Sequence, residues 1–281
     1  VPPLPAILLE PLVRAALLED LGRAGDITTD AIVPAAARAE TALVARQPGV
    51  LAGLDLALLA FRLIDPAITA RLDCRDGDRL SPGDVIALIA GPARGILTAE
   101  RVALNFLCHL SGVASATAGI VAALDGHNAR VVCTRKTMPG LRAVQKYAVR
   151  VGGGANHRFG LDDAVLIKDN HIAVAGGITP AVTRARAAIG HLVKIEVEID
   201  ALEQLDEVLA LGVDAVLLDN MTPEQLRRAV ALVDHRAITE ASGRITPATA
   251  PAIAASGVDL ISVGWLTHSA AVLDIGLDYW G

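Results

Sequence analysis

Between Thr134 and His171 the chain carries Arg135, Lys136, Lys146, His157, Arg158 and Lys168, and His171 itself closes the basic run. Arginine presents a planar fork that matches carboxylates and phosphates, while lysine supplies a compact charge that tolerates different anions. Further on, Glu198 and Asp219 supply two carboxylates separated by one strand–helix unit. Hard oxygen ligands of this kind suit Mg²⁺, which keeps part of its water shell and shares substrate phosphates. Together these residues describe a site for a metal-bound diphosphate and a second compound bearing carboxylates. Ser242-Gly243 and Val263-Gly264 add two glycine turns, ahead of helix-compatible stretches beginning near Pro247 and Thr267. Backbone N–H groups at helix starts cradle phosphate, aided by the helix dipole.

Taken singly, each residue has an ordinary explanation. Arg135-Lys136 reads as a solvated strand end, His157 and His171 as structural histidines, and Arg101 as half of a surface ion pair. Glu196 and Glu198 flank Val197, and the expectation is that one faces inward and the other faces the covering helices. An inward carboxylate then needs a cation beside it. The ordinary explanations fail mainly because they must all hold at once.

The elements that would position these groups follow from hydrophobic rhythm. Apolar runs recur at 131–134, 164–167, 193–199, 215–219, 237–242 and 260–264, with helix-compatible stretches such as 202–211, 223–233 and 247–256 between them. Strands alternating with helices mean right-handed βαβ units and a parallel sheet. Polar or charged residues end nearly every run: Thr134-Arg135-Lys136, Lys168-Asp169-Asn170-His171, Asp219-Asn220, and Glu240 to Gly243. The carboxyl ends of barrel strands are where such a fold places its site. The expected class is therefore α/β, an open six-stranded parallel (β/α) barrel over 111–269. A smaller α/β sandwich over 1–110 precedes it, with the tail at 270–281 packed on the sandwich. Within that first part, 8–21 and 54–64 read as helices and 27–33 as an extended stretch. The 75–91 segment reads as a hairpin.

Composition excludes several classes. The hydrophobic fraction is 53% against 2% aromatic, so the core is built from Ala, Val, Leu and Ile, as buried parallel strands require. A net charge of −6 argues against a nucleic-acid partner and requires that any anion be held by local positive charge. Cys74, Cys108 and Cys133 are odd in number and lack metal-ligand spacing, which fits reduced thiols and a cytoplasmic setting. The opening VPPLPA lacks the basic start and apolar stretch of a signal peptide, and the missing initiator Met reads as trimming or as an artificial start of the chain. From Val102 to Leu124 there is no Asp, Glu, Lys or Arg, a length that spans a bilayer. Asn105, His109, Ser111, Ser115 and Thr117 within it, and the absence of flanking basic clusters, favour a buried or subunit-contact helix over a membrane span.

Longer strings carry more than spacing does. ERVALNFLCHLSGVAS, CTRKTMPGLR, KYAVRVGGGANHRFGLDDAVLIKDNHI, KIEVEI, VLLDNM, EASG and GVDLISVGWLTHS run in order through the last two thirds of the chain. They closely resemble the quinolinate phosphoribosyltransferases. GDITTD and GVLAG extend the likeness more loosely into the first hundred residues. The resemblance implies a sandwich-plus-open-barrel enzyme working as a homodimer whose sites draw on both subunits. It further implies Mg²⁺ and the substrates quinolinate and phosphoribosyl pyrophosphate, giving nicotinate mononucleotide, pyrophosphate and CO₂ on the route to NAD.

Carried over by motif, Thr134, Arg135, His157 and Arg158 would bind substrate, the last three at the quinolinate carboxylates, with Arg101 reaching in from the partner. Lys136 and Lys168 would sit at the junction with the phosphoribosyl group. Glu198 and Asp219 would hold ribose hydroxyls, metal, or both. Ser242, Gly243 and Arg244, with Val263, Gly264 and Trp265, would form the phosphate cradle. Met138, Arg244 and Trp265 depart from the usual family pattern, and none removes a charge that the chemistry requires. Four rivals remain: a paralogous transferase tied to molybdenum transport, a nicotinate phosphoribosyltransferase, a Schiff-base aldolase using Lys168, and a non-catalytic sugar-phosphate-binding barrel.

Overall fold

A computed structural model describes residues 1–280, and the chain divides into two compact units. The first comprises Val1–Ala118, Thr137–Gly153 and the chain from Leu266 onward. It opens with helices α1 (Ala6–Leu21) and α2 (Ile27–Ile32), followed by strands β1 (Arg38–Ala45) and β2 (Gly49–Val50) and helix α3 (Leu54–Ile64). Strands β3 (Thr69–Leu72), β4 (Arg79–Leu80) and β5 (Val85–Pro92) follow, leading into the long helix α4 (Ala93–Ala123). Helix α5 (Arg142–Val151) and strand β12 (Ile275–Tyr279) also belong here. The antiparallel order is β12-β1-β5-β3, so the far end of the chain completes a sheet begun near residue 38.

Two expectations for this part fail, each for a local reason. Residues 27–32 are helical rather than extended, because Asp26 caps them by accepting the Thr29 N–H at 2.9 Å. The 75–91 segment is not a hairpin: β4 pairs with β2 in a separate ribbon, while β5 sits between β1 and β3. The line drawn at residue 110 also falls inside α4, which is continuous there.

Helix α4 is long and apolar enough to cross a membrane by length and composition, and about half of its most apolar window is buried within the protein. Its small polar residues are occupied. Ser111 donates to the Ala52 carbonyl and accepts the Ala52 N–H, and Ser115 accepts the Val50 N–H. Gly112 lets the chain after residue 270 lie directly on the helix, since a Cβ there would meet the Ala271 carbonyl oxygen at 2.1 Å.

The second unit, Gly119–Lys136 and Gly154–Trp265, holds the parallel sheet. Its strands are β6 (Arg130–Val132), β7 (Val165–Ile167), β8 (Ile195–Ile199), β9 (Ala215–Asp219), β10 (Ile238–Ser242) and β11 (Leu260–Ser262). The sheet order is β6-β11-β10-β9-β8-β7. The first two strands in sequence therefore occupy opposite edges, and the barrel is open between them. Among the described residues, a single parallel bridge, Val132 to Ala155, pairs the outer side of β6.

Helices α6 (Asp169–Ala175), α7 (Ile178–Ala188), α8 (Leu205–Ala210), α9 (Pro223–Val233) and α10 (Ala250–Ala254) connect the strands. Helices α7 to α10 each bury aliphatic residues, such as Leu226, Ala229 and Val233 on α9, whereas α6 buries none. Thr222 and Gln225 close a reciprocal capping box at the start of that helix, with Pro223 at its first position. At the amino ends of the strands the acids are structural. Asp214 accepts the Ile195 N–H, and Asp259 accepts both the backbone N–H and the hydroxyl of Thr239.

Candidate active site

Residues level with one another on neighbouring strands share a face, as do residues two apart on one strand. Register therefore decides which side chains look into the barrel. Leu166 is level with Glu196, Glu198 with Leu217, Leu217 with Glu240, and Asp219 with Ser242, which is level with Ser262. One face thus carries Glu196, Glu198, Asp219, Glu240 and Ser242. The expectation that Glu196 and Glu198 point to opposite sides is wrong: they are two apart, and one intervening residue brings the chain back to the same face.

At the outer end of that face, Lys168 follows β7 and its Nζ donates to Glu198 Oε2 at 2.5 Å. Asp219 ends β9, and its Oδ2 accepts from Asn220 Nδ2 at 2.6 Å. Both carboxylates are partly buried oxygen donors at the ends of adjacent strands. Each pair leaves one carboxylate oxygen outside these bonds, so the donor set fits a hard divalent cation with water and phosphate completing its shell.

Deeper in the unit, His157 Nε2 lies 2.8 Å from Glu196 Oε2 and 3.8 Å from Glu240 Oε1. The ligand atoms of all three lie within 4.8 Å of one another. Strand β9 separates β8 from β10, so the two carboxylates meet only because the sheet curls. Glu240 is 2% exposed, and burial, reinforced by Glu196, raises its pKa from 4.5 to about 7 despite the opposing pull of His157 and the Ser262 hydroxyl.

Arg158 Nη1 donates to the Ala164 carbonyl at 3.0 Å, and Asp163 ties off the intervening loop by accepting the Phe159 and Gly160 N–H groups. Burial lowers the Arg158 pKa, Arg135 lowers it further, and Glu196 and Asp163 oppose the shift. The two guanidinium groups are therefore electrostatic neighbours, and Arg158 also lies within reach of the Glu196 charge. Arg135 Nε is buried and has no acceptor among the described residues. Thr134 Oγ1 accepts the Lys136 N–H at 3.0 Å, turning the chain just beyond β6.

The glycine turns meet at the end of β10. Gly243 has φ +116°, and a Cβ there would lie 2.3 Å from Asn220 Oδ1. Asn220 and Arg244 both adopt left-handed backbone, with φ of 54° and 48°. Asn220, Met221, Gly243 and Arg244 line a cavity of about 520 Å³. Trp265 follows Val263-Gly264, and its Nε1 donates to the Ile245 carbonyl at 2.8 Å, fastening one turn to the other. Helix α10 has only five residues and α11 (Trp265–His268) four, and α10 begins at Ala250 rather than Pro247. Any phosphate held here would rest on turn N–H groups more than on a long helix dipole.

The remaining basic residues of the sequence cluster are placed as follows. His171 caps α6, with Nδ1 accepting the Lys168 N–H at 3.0 Å. Lys146 is buried on α5, and Arg101 is exposed on α4, both in the first unit. Met138 is exposed, and its N–H donates to Gln145 Oε1 at 3.0 Å. The roles of Glu196, Glu240 and Asn220 were not assigned from sequence. Glu240 stands in the quoted EASG string, and counting in twos from Ser242 would have turned it inward.

Comparison with known proteins places this geometry in context. Residues 26–111 match the family described as quinolinate phosphoribosyl transferase, N-terminal domain, and residues 113–278 match its C-terminal domain. A nicotinate-nucleotide pyrophosphorylase [carboxylating] from Mycobacterium leprae is 49% identical, covering 95% of each chain. A probable protein of the same name from Bacillus subtilis is 46% identical over 96% of this chain and 93% of its own. The crystal structure of NadC from Streptococcus pyogenes superposes with a TM-score of 0.95 at 44% identity, covering both chains fully.

Proposed function

Because the chain belongs to the quinolinate phosphoribosyltransferase family, we propose that it transfers the phosphoribosyl group of phosphoribosyl pyrophosphate to quinolinate with decarboxylation, yielding nicotinate mononucleotide, pyrophosphate and CO₂. The observation that carries the reading is the sign segregation of the site. Arg135 and Arg158 are electrostatic neighbours, with a buried Arg135 Nε that has no acceptor among the described residues, while Glu198 and Asp219 stand at the ends of adjacent strands.

In this reaction the pyridine nitrogen bonds to the anomeric carbon as the bond to pyrophosphate breaks. Arg135, Arg158 and His157 hold the two carboxylates of quinolinate and thereby aim the ring nitrogen. Positive charge grows on the ribose ring in the transition state, and Glu198 and Asp219 are the carboxylates that would stabilise it. Lys168, tied to Glu198, and Lys136, on the exposed turn, offset charge on the leaving group. The turns around Gly243 and Gly264 receive the 5′-phosphate through backbone N–H groups. Glu198 and Asp219 are the residues that would hold Mg²⁺, which when bound supplies charge neutralisation to the diphosphate. Carbon–carbon cleavage then leaves an electron pair next to the cationic ring nitrogen; CO₂ departs and a proton takes its place.

The aldolase alternative requires an amine free to attack a carbonyl, whereas Lys168 is ion-paired with Glu198. Incubation with quinolinate, phosphoribosyl pyrophosphate and Mg²⁺ should release equal amounts of nicotinate mononucleotide and CO₂. Turnover of nicotinate with none of quinolinate would overturn the substrate assignment.

A further inference from the structure

Resting on that reading, the acid pair beneath the substrate cations has work of its own. An imidazole has two ring nitrogens and can flip, so the groups around His157 decide which nitrogen it presents. Its Nε2 is committed to Glu196 Oε2 at 2.8 Å, and Glu240 Oε1 lies 3.8 Å from the same nitrogen. Glu240 is 2% exposed, and its Oε1 has no hydrogen-bond partner among the described residues. An unsatisfied carboxylate oxygen at this depth is costly, and two ionised carboxylates so close together are costlier still. A hydrogen on Glu240 relieves both costs, giving the cluster an internal donor while leaving one negative charge opposite the ring.

We propose that Glu240 is a positioning residue: as a neutral acid it fixes Glu196, and through Glu196 holds His157 in a single orientation with Nε2–H turned inward. A ring held in this way meets the second carboxylate at the same place in every molecule, so Glu240 governs preference for the dicarboxylate without touching it. Burial of Glu240 beside Glu196 on β8, with His157 and Ser262 opposing, agrees with its carrying the hydrogen.

The test compares Glu240→Gln, which keeps shape and a donor, with Glu240→Ala and the volume-filling Glu240→Met. Ala and Met should each raise KM for quinolinate by about tenfold or more, a typical effect of losing one buried polar contact, while leaving KM for phosphoribosyl pyrophosphate and kcat within about threefold. Gln should restore KM for quinolinate to within about threefold of the parent. Nitrogen-15 NMR of histidine-labelled protein, recorded without substrate, should show a protonated Nε2 for His157 in the parent and the Gln variant, and an averaged signal in the other two. This arm stands whether or not quinolinate proves to be the substrate, so failure of the inference and failure of the functional reading are told apart. The inference is overturned if Gln is as damaging as Ala, or if both KM values rise together. Elemental analysis finding one tightly held zinc per chain, lost in Glu240→Ala, would also overturn it, since the three groups would then be metal ligands.

Discussion

Arg135 is partly buried, and its buried Nε has no acceptor among the described residues. A guanidinium kept in this way gains its full complement of hydrogen bonds only when an anion arrives. Arg135→Ala should therefore raise KM for quinolinate by about 10- to 100-fold, one charge-assisted bidentate contact, with a smaller change in kcat. Steady-state kinetics with each substrate varied in turn will show this. Glu240 makes a second prediction, concerning stability. Its folded pKa is raised from 4.5 to about 7, so between those values the folded state binds more protons than the unfolded one. Stability from this group is fully present below about pH 4.5 and is lost as pH rises toward 7, at no more than about 1.4 kcal/mol per pH unit. Urea unfolding across that range should show the decline in the parent and a flatter profile in Glu240→Gln.

Among the elements, α3 depends on a borrowed cap. Its preceding residue, Gly53, has no side chain to offer. Asp76 accepts the Gly53 and Leu54 N–H groups at 2.9 and 3.1 Å, and also the Tyr147 hydroxyl at 2.8 Å. Asp76→Ala should cost about 2–3 kcal/mol, the scale of a lost helix cap with a buried hydroxyl left unpaired. Chemical denaturation would measure it, with the transition slope unchanged. This contact also shows what a sequence hides, since no local signal joins residues 53, 76 and 147. The parallel strands were legible because each is a short aliphatic run ending in polar residues, and Lys168 and Asp219 do stand at such ends. The short strand β4 was misassigned because its partner, β2, lies some thirty residues upstream and only tertiary pairing distinguishes a ribbon from a hairpin. The pairing of Glu196 with Glu240 across an intervening strand depends on sheet curvature, which no window of sequence contains.

For the whole molecule, the exposed position of Arg101 on α4 leaves it available to a second copy of the chain, in keeping with the proposed shared site. Mixing Arg101→Ala protein with Lys168→Ala protein, each nearly inactive alone, should restore up to about a quarter of parent activity through hybrid dimers carrying one intact site. Activity that stays at the level of the separate variants would show that each chain supplies its own arginine.

The pairing of β1 with β12 reaches beyond the finished structure, into synthesis. Thr41 lies opposite Tyr279 and Ala45 opposite Ile275, so β1 leaves the ribosome long before the strand that covers it. Until then β1 is a bare edge of alternating N–H and C=O groups, the kind of surface that recruits strands from other chains. Arg46, at the end of that edge, later pairs with Asp278 at 2.9 Å; meanwhile its charge discourages a like-charged neighbour. The barrel strands are all made within this interval, and translation speed through them sets how long the nascent sheet stays open to the wrong partner.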